Sequence, residues 1–232
     1  MGHCKQNSFF YSSQQLCYED NPELANWLGM EPTEVENFDV YVTPLMEGNI
    51  ADLQPRPTLN QTKKIINRLI DGLEQLRDAG KSHNDLKPAN VLFRKENNRL
   101  DIRISDFGQA NKSGGTPGWT APIFRNRQPG REDIYSMGMI ILWLFCESKE
   151  LFYALRDNFV QNRQEQWLTR FRRLHEIQLV MKMLDLCNPL SIENVKTEWQ
   201  KVMPNLQLIT ESNLLKLGVP ANLLTPQYNH NR

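Results

Sequence analysis

Neither sign of charge dominates this chain of 232 residues: Lys and Arg together number 27, and so do Asp and Glu. That balance supplies no overall basic field, so no nucleic-acid partner and no anionic membrane surface is expected. Cysteine is scarce. Cys4, Cys17, Cys146 and Cys187 form no CxxC pair, a pattern that suits reduced thiols in a cytoplasmic protein better than a disulfide frame. Long hydrophobic runs are missing as well. The most apolar stretch, Met137 to Cys146, is too short to cross a bilayer and reads as a buried helix, so no transmembrane segment is expected. The first residues lack the apolar run of a signal peptide. Met1-Gly2 is followed by Gln6 where a myristoylation signal wants Ser or Thr, which argues against a lipid anchor. Finally, the 12 glycines contain no GxGxxG, the spacing of a loop that covers phosphates.

What is present is ordinary for a globular protein, 40% hydrophobic and 23% charged residues, enough for one generous domain or two small ones. The chemistry concentrates in His83-Asn84-Asp85-Leu86-Lys87-Pro88-Ala89-Asn90-Val91-Leu92. A carboxylate, an amine and a carboxamide stand there within a few residues, between apolar flanks. Phosphoryl transfer needs such parts: a base to orient a hydroxyl, a cation for the travelling phosphate, and an oxygen ligand for Mg²⁺. Ser105-Asp106-Phe107-Gly108 follows one small hairpin later. Its carboxylate, beside a glycine that frees the backbone, is a second and stronger metal ligand.

In these two stretches the chain resembles the eukaryotic protein kinase superfamily, serine/threonine type, because HNDLKPANVLF stands where that family has its catalytic loop and ISDFG where it has its metal loop. The resemblance implies an α+β, protein-kinase-like fold with a predominantly helical lower lobe, and ATP with Mg²⁺ as cofactors. It implies Asp85 and Lys87 as catalytic residues, Asn90 and Asp106 as metal ligands, and His83 and Phe107 as structural supports. Thr43-Pro44-Leu45-Met46-Glu47-Gly48-Asn49 is similar to the hinge between lobes. Thr43 is then the gatekeeper, Met46 the adenine donor and Leu92 the floor beneath the adenine; the alternative is a plain edge strand and turn. Thr116-Pro117-Gly118-Trp119-Thr120-Ala121-Pro122-Ile123 resembles the substrate-positioning loop, with Thr116 set against Asp85 and Lys87. Asp133, which opens the apolar run, matches the family's buried aspartate that ties down the catalytic-loop backbone. A carboxylate in that place is also expected to cap the helix. Asp85, by contrast, is expected to face solvent or substrate.

The apolar residues Ile66, Leu69, Ile70, Leu73 and Leu76 recur at helical spacing from Leu59 to Ala79, and Gly80 follows as a stop. Leu92, Phe93, Ile102 and Ile104 flank a polar run and predict a hairpin turning at Glu96-Asn97-Asn98. Phe38 to Thr43 alternates as a strand should. Amphipathic stretches at Leu151 to Phe159, Trp167 to Leu174, Ile177 to Leu186 and Ile192 to Val202 supply further helices; His175 on one of them has no second His or Cys at metal spacing. The expected division is an upper-lobe remnant over residues 1–42, a lower lobe over 43–203, and a tail over 204–232 that packs in part.

Three departures from the family pattern stand out. The region ahead of Asn21 is too short for the upper lobe's strands and helix; Lys5 lies too close to the next strand to be its lysine, and the expected helix glutamate falls near Ser12. Asn84 replaces the usual arginine of the catalytic loop, so a phosphate on the following segment loses its standard partner. Ile123 stands where a glutamate is usual, and its arginine partner is absent around Cys187 to Ser191. Two functions are therefore carried. One is a serine/threonine protein kinase acting on protein substrates. The other is an inactive, truncated pseudokinase that binds a partner kinase or its substrate, with a partner covering the surface that the upper lobe usually covers. A metabolite kinase is weaker, because Thr116 and GWTAP resemble peptide-substrate loops.

Overall fold

The computed structural model describes residues 14–16, 40–42, 44–96, 99–110, 114–121, 130–161, 174–188 and 190–226. Strand β1 (Gln14–Leu16) pairs antiparallel with β2 (Val40–Val42), so the strand expected near residue 40 is present, and a partner for it comes from the polar region before it. A second sheet runs β3 (Gly48–Asn49), β4 (Val91–Glu96), β5 (Arg99–Ile104), all antiparallel. In its hairpin Val91 faces Ile104 and Glu96 faces Arg99. Glu96 therefore ends a strand; Asn97 and Asn98 lie outside the described residues, as do Thr43, Ser12, Lys5 and Ile123.

Helix α1 (Leu59–Asp78) starts at a capping box: the Thr58 side chain accepts from Gln61 N–H, and the Gln61 side chain accepts from Thr58 N–H. This reciprocal pair satisfies donors that a helix start leaves open. The helix stops where the glycine predicts. Gly80 adopts φ +63°, its N–H reaches Arg77 O, and Lys81 N–H reaches Leu76 O, a left-handed ending that a side chain would disfavour.

Helix α2 (Arg131–Phe145) is buried on every side from Asp133 onward, as the apolar run that starts at Met137 requires. Against it stand α1, α3 (Lys149–Gln161) and α4 (His175–Met183), with Trp199 of α5 (Ile192–Val202) stacked on Phe145, while α6 (Glu211–Lys216) adds Leu214 to the same core. Gly138 lets α4 come close, since a Cβ there would meet Met183 Cβ at 3.0 Å. Three polar links tie α1 to α5 in reverse order along the two helices: Asn67 with Trp199, Glu74 with Lys196, and Arg77 with Glu193. The two helices therefore run antiparallel, with Ile66, Leu69, Val195 and Trp199 in one shared core. No helix among the described residues is long and apolar enough to cross a membrane.

Candidate active site

The segment between α1 and β4 is extended and polar, and it is held from beneath by a single carboxylate. Asp133 is 1% exposed; its two oxygens accept His83 N–H at 2.7 Å and Asn84 N–H at 2.8 Å. Burial pushes this carboxyl up from the usual carboxylate range, against the two N–H bonds that favour its ionised form. The capping expectation for Asp133 is not met. Gly130, at φ +85°, is the N-cap and makes no side-chain bond, because the Asp133 carboxylate turns away from its own helix to serve the neighbouring loop.

His83 is fully buried. Its Nδ1 accepts Asp85 N–H at 3.2 Å and its Nε2 lies 2.8 Å from Ser105 O. These two bonds assign the proton to Nε2, since Nδ1 must be an acceptor. The ring also packs 4.9 Å from that of Phe107. One imidazole thus joins the loop holding Asp85 to the one holding Asp106. Asn84 takes φ +66°, a left-handed conformation that Asn tolerates better than most residues.

Asp85 is only 7% exposed, so of the two surroundings expected for it, solvent or substrate, open solvent is the one it lacks. The reason is the loop at Thr116, which folds over it. Asp85 Oδ1 accepts Thr116 N–H at 2.8 Å and Thr116 Oγ1–H at 2.7 Å, while Oδ2 accepts Lys87 Nζ at 2.8 Å. Lys87 also donates to Thr116 Oγ1 at 2.8 Å, closing a three-membered network. Burial alone would raise the Asp85 carboxyl; hydrogen bonds from Lys87 and Thr116 and the lysine's charge outweigh it and hold the group below the usual range. The carboxylate is ionised, oriented and in contact with a cation.

Asn90 is buried and donates Nδ2 to Asp85 O at 2.9 Å. This fixes the carboxamide and leaves its oxygen without a hydrogen-bond partner among the described residues. Ser105 N–H and Oγ both reach Asn90 O, at 2.9 and 3.1 Å. The end of the catalytic stretch and the residue before Asp106 are thereby fastened together, as the Val91–Ile104 pairing requires. Asp106 is exposed, at φ +62°, and its Oδ1 accepts Gly108 N–H at 3.3 Å. The left-handed backbone falls on Asp106 itself, not on the glycine. Gly108 contributes room: a Cβ there would sit 3.2 Å from Asp106 Oδ1. A carboxamide oxygen and an exposed carboxylate are hard donors of the kind Mg²⁺ prefers, so the residues present fit that ion.

The expected hinge lies beside this site. Glu47 N–H bonds Phe93 O at 2.9 Å, and Asn49 pairs with Leu92, which places Met46 and Leu92, both half-buried, on adjoining segments. Leu45 is 87% exposed. On the other flank Trp119 stacks on Phe152 of α3 at 5.2 Å, and Arg156 of α3 lies over the Phe152 and Tyr153 rings. Two contributors were not singled out from the sequence. Ser105 joins the two loops, and Gly115, at φ +122°, passes so close to Asn84 O that a Cβ would lie 2.7 Å from it. The Gly114-Gly115 pair before Thr116 was the available signal.

The comparisons with known proteins give the family. The sequence profile described as "Protein kinase domain" matches residues 33–210. A calcium/calmodulin-dependent protein kinase type 1 of Caenorhabditis briggsae is 33% identical over 99 residues, covering 38% of this chain and 28% of that protein. The calcium/calmodulin-dependent protein kinase cmkB of Emericella nidulans is 33% identical over 95 residues, covering 35% of this chain and 24% of the relative. A probable myosin light chain kinase of Dictyostelium discoideum is 30% identical over 109 residues, covering 42% and 31%. The aligned stretch thus spans about a quarter to a third of each relative's length. With more than half of its residues matched by that profile and this α+β architecture, the chain belongs to the protein kinase domain family.

Proposed function

We propose that this chain carries the phosphate-transfer half of a serine/threonine protein kinase, with protein hydroxyls as acceptors. The observation that carries the reading is the closed network of Asp85, Lys87 and Thr116. ATP would supply the phosphoryl group, and Mg²⁺ would neutralise charge on its phosphates. Asn90 and Asp106 would hold the metal. Met46 and Leu92 would border the base. Asp85 would orient and accept the proton of an incoming hydroxyl, taking the place that Thr116 Oγ1–H occupies in the network. Lys87, already beside that oxygen, would meet the phosphate's negative charge. His83, Phe107 and Asp133 act through position alone.

Because the sequence contains no GxGxxG, donors aimed at the phosphates are fewer than in the family pattern. Losing one such donor typically lowers a rate by roughly 10² to 10³. Residues 1–232 alone are therefore expected to bind Mg-nucleotide weakly and to transfer little phosphate, with activity rising when upper-lobe strands are supplied in cis or trans. Nucleotide binding by calorimetry and transfer of radiolabelled phosphate to a generic serine/threonine substrate test this. Binding should depend on Mg²⁺ and fall at least tenfold in Asp106→Asn. Affinity indifferent to Mg²⁺ and to that substitution would refute the reading. Retained Mg-dependent binding with no transfer even after an upper lobe is supplied would favour the binding-protein alternative.

A further inference from the structure

On the face of the molecule formed by the end of α1 and the starts of α2 and α5 lies a cavity of about 210 Å³. Its floor is apolar: Leu73, Leu76, Ile134 and Ile192 line it and are all nearly buried. Its mouth is cationic. Arg77, Lys81 and Arg131 stand around it, and the acids among the lining residues are already engaged. Glu193 is paired with Arg77, and Asp133 holds the backbone of His83 and Asn84. Lys81 is exposed and Arg131 half-buried, and neither has an ion-pair partner among the described residues.

Size and charge together limit the occupant. An apolar cavity of about 150 Å³ accommodates benzene, and drug-sized ligands fill about 300 Å³ or more. A nucleotide or a cofactor is too large for this space; one apolar side chain fits it. The two cations without an ion-pair partner among the described residues, Lys81 after α1 and Arg131 at the start of α2, offer complementary charge to acids that flank such a side chain. We infer that this cavity is a docking site for an acidic peptide segment, which inserts one apolar side chain between Leu73, Leu76, Ile134 and Ile192 and sets flanking carboxylates against Lys81 and Arg131. The site is separate from Asp85 and Asp106 and does not depend on whether phosphate is transferred.

The test uses the full chain and fluorescein-labelled nonapeptides with a central leucine, isoleucine, methionine, phenylalanine or tryptophan, flanked on both sides by glutamates. Fluorescence anisotropy should show saturable binding by at least one member of the set, weakened by salt. Replacing the central residue by serine, or the glutamates by lysines, should abolish it. The double variant Lys81→Glu with Arg131→Glu should lower affinity at least tenfold. It is expected to fold, since neither side chain has an ion-pair partner among the described residues and a glutamate suits the first position of a helix; circular dichroism checks this. No saturable binding by any member overturns the proposal, as does equal binding by the double variant. Equal binding of the serine peptide would reduce the site to surface charge and overturn it as well. Full competition by phenylacetate at the same concentration as the peptide would assign the cavity to a small acid instead.

Discussion

Alanine at position 133 should cost far more stability than alanine at position 85, although both remove a buried carboxylate, one on α2 beneath the loop and one in the loop itself. The first change leaves His83 N–H and Asn84 N–H, both in buried residues, without their acceptors at 2.7 and 2.8 Å. Each orphaned donor costs about 1 to 3 kcal/mol. Relief of the carboxylate's own burial offsets part of that sum, and no cap is lost because Gly130 fills that role. A net loss of about 2 to 4 kcal/mol remains, a large share of the roughly 5 to 15 kcal/mol typical of a domain. Asp85→Ala strands one backbone donor, that of half-buried Thr116; Lys87 and the threonine hydroxyl can turn to water. About 1 kcal/mol is expected there. With a urea slope of about 2 kcal/mol per molar, the midpoint should fall by about 1 to 2 M for Asp133→Ala and about 0.5 M for Asp85→Ala. The assay is urea unfolding followed by circular dichroism, read at unchanged slope. Equal shifts, or a larger one for Asp85→Ala, would show that Asp133 does not carry the loop.

Lys87→Met should lower stability at neutral pH and make little difference in acid. The Asp85 carboxyl is held below its usual range, so its stabilising pair is complete above the unfolded value of about 4 and fades as pH falls through the depressed folded value; urea midpoints of both proteins from pH 7 to pH 3 check the convergence. Gly115→Ala should lower the midpoint by at least about 0.5 M and free Thr116 from Asp85, since its Cβ would lie 2.7 Å from Asn84 O at a φ of +122°; NMR titration should then place the Asp85 carboxyl higher than in the parent. Gly72→Ala should destabilise by about 1 kcal/mol, because crowding of a packed core outweighs the helix-propensity gain; the Cβ would stand 2.7 Å from Ile104 Cδ1. A midpoint unchanged or raised would mean that Ile104 rotates away freely.

The catalytic stretch was legible because its residues act through chemistry that admits few substitutes: a base, a cation and a metal ligand must be Asp, Lys and Asn or their near equivalents. Helix α1 was legible through the spacing of its apolar face and its glycine stop, and α5 for the same reason, with Ser191 as its cap. Exposure was not. Asp85 reads as a base facing solvent or substrate, and although the resemblance sets Thr116 against it, only the fold shows how closely that residue, 31 positions later, covers the carboxylate. Composition cannot report such a contact, since an Asp in a polar loop looks the same whether water or a distant threonine meets it. Asp133 shows the same limit from the other side. A carboxylate near a helix start satisfies the capping rule on paper; the resemblance alone sets it against the catalytic-loop backbone, and the fold shows both oxygens taken by N–H donors 50 and 49 positions upstream, which leaves the cap to Gly130.

The C-terminal segment escaped a sequence reading for a further reason. After α5 the chain loses any period that marks a helix or strand face, so residues from 204 onward read as a tail that packs in part. Yet Leu206, Ile209, Leu214, Val219 and Leu224 are all buried in the main core. The anchor is one residue long: Ile209 N–H reaches Phe145 O at 2.8 Å, and Glu147 N–H reaches Ile209 O at 3.0 Å. This places Ile209 alongside Cys146 in a parallel bridge at the end of α2. Burial there pushes the Cys146 thiol far up, which makes it a packing group and not a nucleophile. A two-bond bridge has no periodicity to detect, because a pattern needs several residues to repeat. Its energetic effect still extends along the segment, since fixing Ile209 shortens the loop whose closure brings Leu214 and Val219 to the core.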